Sequence, residues 1–213
     1  NIGTLTLASP EKVEKIIHKS SGDSAEHSFS AKFLLDEWHH VVDAWQLRSW
    51  EAYRDVLRLG RKTRLPESSR QTLWKIFEKV YAELASQNLM TEAQIFSHLA
   101  ERYQQGLQRP FDFIIVDEAQ DISVSQLRFL AALSANRDES LFFAGDLGQR
   151  IFQQPFSWKA LGIEVRGRSR ILRINYRTSH QIRQRADSLL APELSDVDGN
   201  TEDRRGAISV FNG

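Results

Sequence analysis

The stretch FIIVDEAQD, residues 113–121, sets the fold class that we expect for this chain. Its apolar half belongs to a nearly continuous run, rich in aromatic and β-branched residues, that is typical of a strand buried on both faces of a parallel sheet. Two acids follow directly where that strand would end. Because ligands bind beyond the carboxyl ends of the strands in open parallel sheets, we expect a functional site at Asp117 and Glu118.

The sequence around this stretch alternates between predicted strands and helices. Residues 140–146 (SLFFAGD) and 168–176 (RSRILRINY) are two further strand candidates, and residues 207–211 (AISVF) begin another. Capping-box pairs, in which a Ser or Thr stands three positions before a Glu or Gln, predict that helices begin near Ser123 and Thr178. This alternation is typical of an α/β domain with a parallel sheet.

The first half of the chain is predicted to be helical. Apolar residues recur there every three or four positions, and a capping box at Thr91 precedes another such run. The stripes comprise Leu34, Trp38, Val41 and Trp45, and then Leu73, Phe77, Val80 and Leu84. Apolar residues at this spacing form one face of a helix, and such faces usually pack on a core. We therefore expect residues 1–109 to be mostly helical.

Composition places the chain among ordinary globular proteins. Of its 213 residues, 41% are hydrophobic and 26% are charged, which fits one or two folded domains rather than a disordered chain. The net charge is zero, so any nucleic-acid contact must come from a local patch. Cysteine is absent, which excludes disulfides and thiolate metal sites. No apolar run is long enough to cross a bilayer, and we expect no membrane partner and a cytoplasmic location.

Three predicted strand ends carry polar residues that suit phosphate chemistry. Asp117 and Glu118 could hold Mg²⁺, which takes one or two carboxylates when it is bound to a nucleotide, and could activate an attacking water. Gln149 could reach the same phosphate or water, Arg177 could clamp a phosphate, and Tyr176 could stack on a base. Each feature alone also fits a solvated strand end, a loop glutamine or a helix entry, so the case rests on their combination.

In combination these segments resemble a known family. The runs VDEAQD, GDLGQRIF and LRINYRTSHQI, at residues 116–121, 145–152 and 172–182, look like helicase motifs II, III and IV of the UvrD/Rep branch of superfamily 1, in the same order. The resemblance clearly covers residues 111–190.

The resemblance implies an α/β fold with an insertion. We expect residues 1–109 to be a mostly helical inserted DNA-contacting subdomain. Residues 110–191 would be a partial parallel-sheet P-loop NTPase (RecA-like) motor core, and residues 192–213 would start a further segment of the second motor lobe. The implied activity is that of an ATP-dependent DNA helicase, which couples ATP hydrolysis to single-strand translocation and duplex unwinding. ATP, Mg²⁺, single-stranded DNA and duplex DNA are the implied cofactors and partners.

The same resemblance assigns roles at the nucleotide to residues that match the motifs. Asp117 would hold Mg²⁺, and Glu118, beside the same ion, would act as the base for the hydrolytic water. Gln149 would sense the γ-phosphate. Tyr176 would lie near the adenine, and Arg177 would contact the γ-phosphate.

Contacts with single-stranded DNA are implied for the segment after motif III. Trp158 resembles the tryptophan that stacks on a base, a contact that contributes on the order of 1–3 kcal/mol. Phe152 stands where the family often has a tyrosine, and Lys159 stands where an arginine is usual. Residues 153–157 intervene where the family has few residues, so a loop tryptophan packed on the core is the alternative for Trp158.

A basic stretch in the helical half is a second candidate for DNA contact. Arg54, Arg58 and Arg61 fall at helical spacing, and Arg58 and Arg61 are the predicted contacts of a ridge that would bind phosphates. An ordinary solvated face is the alternative.

The 213 residues contain no G-x-x-x-x-G-K-[ST] loop, which cradles the phosphates in P-loop enzymes. We therefore expect the chain to be part of a longer helicase and to be inactive in ATP hydrolysis by itself. Exposed sheet edges would make self-association possible. Two other classes stay open: a non-catalytic DNA- or partner-binding module of helicase ancestry, and the motor part of a helicase–nuclease.

Overall fold

The computed structural model divides the chain into two units. The first comprises Asn1–Asp112 with Ser123–Asp138, and the second comprises Phe113–Ile122 with Glu139–Gly213. The residues that the structure describes are 6–22, 28–58, 64–134, 139–146, 156–165, 167–189, 193–195, 198–199, 201–203, 206 and 208–212.

The first unit is mostly helical, as its apolar stripes predicted. Local sequence begins several of its helices, because Ser9, Ser30 and Ser49 each accept a hydrogen bond from a backbone N–H in the first turn that follows. Its elements are β1 (Thr6–Leu7), α1 (Pro10–Ser21), α2 (Ala31–Glu37), a π-helical turn (Trp38–Val42), α3 (Trp50–Asp55), α4 (Glu67–Ser86), β2 (Leu89–Met90), α5 (Glu92–Gln104) and α6 (Val124–Ser134).

An aromatic cluster forms the centre of this unit. Trp38, Tyr53 and Phe77 are all fully buried, and the Phe77 ring lies 5.7 Å from Trp38 and 6.0 Å from Tyr53, centre to centre. Such tilted or edge-to-face pairs stabilise a core beyond the burial of their area. The predicted stripe is interrupted after Leu34, because α2 gives way to the wider π-helical turn, and that turn buries Trp38 and Val41.

Helix α6 packs within the first unit. The Phe129 ring lies 5.4 Å from that of Phe96 and 6.0 Å from that of Tyr103. Arg128 donates a hydrogen bond of 2.9 Å to the Trp45 carbonyl and lies 5.3 Å from the centre of the Trp45 ring. The helix falls within the predicted motor core at 110–191, whereas its contacts group it with the helical unit. The predicted domain limits otherwise stay predictions.

The capping boxes had different outcomes. Those at Thr91 and Ser123 are confirmed. Each hydroxyl accepts a hydrogen bond from the backbone N–H three residues later, and the side-chain oxygen of the glutamine there accepts from the backbone N–H of the Thr or Ser. The box at Thr178 is wrong by one position. Ser179 caps the helix instead, and Thr178 accepts a hydrogen bond from Asn175.

The second unit contains small two-stranded sheets. Strands β3 (Ile114–Val116) and β4 (Leu141–Phe143) pair in parallel, with Ile115 opposite Phe142. The remaining elements are β5 (Ile174–Ser179), α7 (His180–Asp187), β6 (Glu193–Ser195), β7 (Thr201–Asp203) and β8 (Ile208–Phe211). Strands β5 and β8 pair in parallel, which confirms the strand predicted near residue 207, and β6 and β7 pair antiparallel.

The fold is therefore mixed helix and strand with small parallel sheets, which confirms the coarser part of the fold prediction. A continuous RecA-like sheet is not seen among the residues that the structure describes. The expectation that β3 is buried on both faces is wrong, because Phe113, Ile115 and Phe142 are 62%, 78% and 62% exposed. Within the described ranges, no helix is both long and apolar enough to span a membrane.

Candidate functional site

The carboxyl ends of β3 and β4 are joined by backbone hydrogen bonds. The Ala144 N–H donates to the Val116 carbonyl, and the Ala119 N–H donates to the Ala144 carbonyl, both at 2.8 Å. Parallel pairing thus brings the two strand ends together, as sequence analysis expected. Asp117 and Glu118 lie on the chain between these two bonds, and both are exposed.

The backbone turns sharply at Glu118. Its φ of 51° and ψ of 42° lie in the left-handed region, which a residue with a side chain adopts only at a cost. The Glu118 N–H donates to Asp117 Oδ1 at 2.9 Å, and a 3₁₀ turn, Ala119–Asp121, follows. This turn follows the end of β3, so both acids stand at the edge of the sheet.

Gln120 connects Glu118 to the loop that follows β4. Its side-chain amide donates to Glu118 Oε2 at 2.5 Å, and its Oε1 accepts from the Asp146 N–H at 3.0 Å. The side chain is buried, with 7% exposure. Sequence analysis assigned no role to Gln120, because residue type alone does not show that a glutamine in a turn reaches a second loop.

Gly145 makes room for this glutamine. A Cβ atom at position 145 would lie 2.6 Å from Gln120 Oε1 and 3.0 Å from the Ala119 nitrogen. Both distances are shorter than ordinary van der Waals contacts, and the Ala119 nitrogen is held in the backbone ladder. The glycine is therefore required by close packing at the end of β4.

The chemistry of the two acids fits a nucleotide-bound magnesium ion. Carboxylate oxygens are hard ligands, and Mg²⁺ on a nucleotide needs only one or two of them beside phosphate oxygens and water. Asp117 and Glu118 supply two exposed carboxylates at one strand end. Gln149 and Phe152, the other residues predicted nearby in sequence, lie outside the described residues.

Tyr176 and Arg177 lie on a different strand pair of the second unit. Both are exposed and stand within β5 rather than after its end. Asn175 accepts from the Arg177 N–H at 2.8 Å, and the register of β5 is irregular between Asn175 and Ser179. Among the described residues β5 pairs with β8, not with β3 or β4. The structure therefore joins two of the three predicted strand ends and does not join the third to them.

Trp158 is a core residue in this structure. It is 9% exposed, and its ring packs edge-on against Phe143 at 5.2 Å and Phe156 at 5.3 Å. Its backbone N–H donates to Asp198 Oδ2 at 2.6 Å. Stacking on a DNA base needs an exposed ring face, so the burial favours the alternative of a packed loop tryptophan. Lys159, the next residue, is exposed.

Arg58 forms a buried ion pair. Its guanidinium donates two hydrogen bonds to Glu37, from Nε at 2.7 Å and from Nη2 at 2.5 Å. The two side chains are 5% and 0% exposed, and the Tyr53 hydroxyl donates to the same carboxylate at 3.0 Å. This environment disfavours the predicted contact of Arg58 with DNA phosphates. Arg61 lies outside the described residues.

Fold and site together define a mixed α/β protein with two carboxylates at the joined carboxyl ends of a parallel strand pair. Comparison with known families is more specific. The chain belongs to the UvrD/REP helicase N-terminal domain family, whose model matches residues 7–158. The matched range includes most of the helical unit, the acidic pair and Trp158.

A curated relative agrees with this assignment. The chain is similar to an ATP-dependent helicase/nuclease subunit of Lactobacillus johnsonii (strain CNCM I-12250 / La1 / NCC 533), with 27% identity over 116 residues. The aligned part is 51% of this chain and 9% of that protein.

Proposed function

We propose that this chain is part of the ATP-hydrolysing motor of a DNA helicase that moves along single-stranded DNA and unwinds duplex DNA. The observation that carries the proposal is the position of Asp117 and Glu118, at the joined ends of β3 and β4, in a member of a helicase family. Ligand sites of parallel α/β sheets lie at this edge.

The two acids divide the work in this proposal. Asp117 would hold Mg²⁺, and Glu118 would take the proton of the water that attacks the γ-phosphate. The metal, when bound, stabilises the charge that develops on the transferred phosphoryl group. Glu118 is exposed, as a base that must meet water requires, and its carboxylate accepts a hydrogen bond from Gln120.

Further nucleotide contacts are proposed for three residues. Gln149 would sense the γ-phosphate, Arg177 would bind it, and Tyr176 would lie near the adenine. The exposure of Tyr176 and Arg177 supports these roles, since both side chains are accessible to a ligand. For DNA, the exposed Lys159 stays a candidate, whereas the burial of Arg58 removes it from the proposal.

The test is Glu118→Gln in the full-length protein. ATP hydrolysis with Mg²⁺ and single-stranded DNA should fall by about 10²–10⁴-fold, because an amide cannot accept the proton. Binding of a fluorescent ATP analogue should be retained within a few-fold. Glu101→Gln, the same change at an exposed position of α5, is the matched control and should hydrolyse ATP like the wild type. Wild-type turnover in Glu118→Gln would refute the assignment of Glu118.

The isolated chain should lack ATPase activity, because its sequence contains no phosphate loop to hold the nucleotide against the acids. Robust DNA-stimulated hydrolysis by the purified chain would contradict this expectation.

A helicase–nuclease motor is the second candidate function. The name of the Lactobacillus johnsonii relative favours it. The full-length protein would then degrade linear DNA in an ATP-dependent manner. ATP-dependent unwinding without any nucleotide release would favour a helicase alone.

A further inference from the structure

Gln120 uses both ends of its amide in the candidate site. The NH₂ group donates to Glu118, and the oxygen accepts from the Asp146 N–H. We infer that Gln120 is a positioning residue, which holds the Glu118 carboxylate in place and anchors it to the loop that follows β4. This inference rests on the proposed role of Glu118 as the base.

The two partners of Gln120 fix the orientation of its amide. Glu118 offers only acceptor oxygens when ionised, and the Asp146 backbone N–H offers only a donor. A flipped amide would place its oxygen against the carboxylate and its NH₂ against the N–H, so both bonds would be lost. The network thus selects one orientation. It also fixes the place of the donor that faces Glu118.

An exposed glutamate has no fixed place without such a partner. Glutamate has several rotatable side-chain bonds and loses much freedom when it is held in one geometry. The bond from Gln120 is charge-assisted and short, a class stronger than neutral hydrogen bonds. Gln120 is itself buried beside Gly145, so its side chain has little freedom to move away from Glu118. A base held in this way meets the attacking water in one reproducible geometry. Turnover depends on that geometry, because a misplaced catalytic group lowers kcat.

The experiment compares three variants in the full-length protein. Gln120→Ala removes both bonds. Gln120→Glu keeps the shape and the acceptor for Asp146 but replaces the donor with a second carboxylate. Gly145→Ala brings a Cβ atom against the Gln120 amide oxygen and against the backbone nitrogen of Ala119. Gln126→Ala, which removes a capping-box glutamine of α6, controls for general loss of stability. Measurements are kcat and KM for ATP with single-stranded DNA, and binding of a fluorescent ATP analogue with Mg²⁺.

We expect Gln120→Ala to lower kcat by about 10–100-fold, as misplacement of a catalytic group does, with KM and analogue binding within about threefold. Gln120→Glu should lose at least as much, because its carboxylate repels Glu118. Gly145→Ala should likewise lower kcat more than it changes KM. The control variant should keep its kcat. In a Glu118→Gln background, Gln120→Ala should cause no further loss, because there is no base left to position.

Two results would overturn the inference. One is near-wild-type kcat in Gln120→Glu, which would show that Gln120 only fills space. The other is a fall in analogue binding that matches the fall in kcat. If Glu118→Gln itself hydrolyses ATP like the wild type, the proposed function fails and the inference fails with it. If Glu118→Gln is inactive while the Gln120 variants are active, only the inference fails.

Discussion

Replacement of Arg58 by methionine should destabilise the helical unit rather than weaken DNA binding. The structure shows a fully buried Glu37 that accepts two hydrogen bonds from Arg58. Methionine fills similar space but removes the guanidinium that donates two hydrogen bonds to this buried carboxylate. Loss of one partner of a buried ion pair costs about 3–5 kcal/mol, so we expect a fall of that size in the free energy of unfolding. The Tyr53 hydroxyl, which also donates to Glu37, compensates for only part of it.

Urea denaturation followed by circular dichroism measures this change. Arg54→Met is the matched control, because Arg54 is an exposed arginine whose partner, Asp55, is its own neighbour. It should unfold like the wild type. The double variant Glu37→Met/Arg58→Met should recover part of the loss, since it removes both charges of the buried pair. An Arg58→Met protein of unchanged stability that binds single-stranded DNA less tightly would refute the reasoning and restore the predicted phosphate contact.

Two other predictions concern buried side chains. Burial raises the pKa of Asp43 from 3.8 to about 6, so the folded state binds this proton more tightly and gains stability as the pH falls from about 7 towards 4. Asp43→Asn should remove this pH dependence, which corresponds to about 3 kcal/mol at most; urea unfolding at several pH values measures it. Trp158→Leu should lower stability, because the ring packs on Phe143 and Phe156, and should leave DNA affinity at a fixed salt concentration unchanged.

Each of these has a clear contrary result. If Asp43→Asn follows the wild-type pH profile, the carboxyl is not the group that titrates. If Trp158→Leu keeps its stability but loses affinity for single-stranded DNA, the tryptophan contacts DNA.

Local rules predicted the parts of the fold that depend on neighbours in sequence. The capping boxes at Thr91 and Ser123 follow from bonds within one helical turn, and β3 and β4 follow from short apolar runs. The position of the acidic pair directly after β3 follows for the same reason, because the apolar run ends where the acids begin, whereas the role of the acids stays a prediction.

The features that the sequence did not predict involve partners that are distant along the chain. An apolar stripe predicts that α6 is a helix but does not say which unit covers it. The charge pattern around Arg58 predicts a basic ridge, but the partner is Glu37, 21 residues earlier and inside the core. The pairing of β5 with β8, which places Arg177 on a different strand pair from β3, is likewise not local. Gln120 was missed because its second partner, Asp146, is 26 residues away.

The left-handed backbone at Glu118 places a conformational cost and the proposed base at a single position. A residue with a side chain costs about 1–2 kcal/mol more than glycine in this conformation. Glu118→Gly would relieve this backbone cost, yet it would take from the buried Gln120 amide the carboxylate to which it donates and would remove the proposed base. Strained backbone of this kind persists only where its surroundings hold it, and at Glu118 the hydrogen bonds with Asp117 and Gln120 do so.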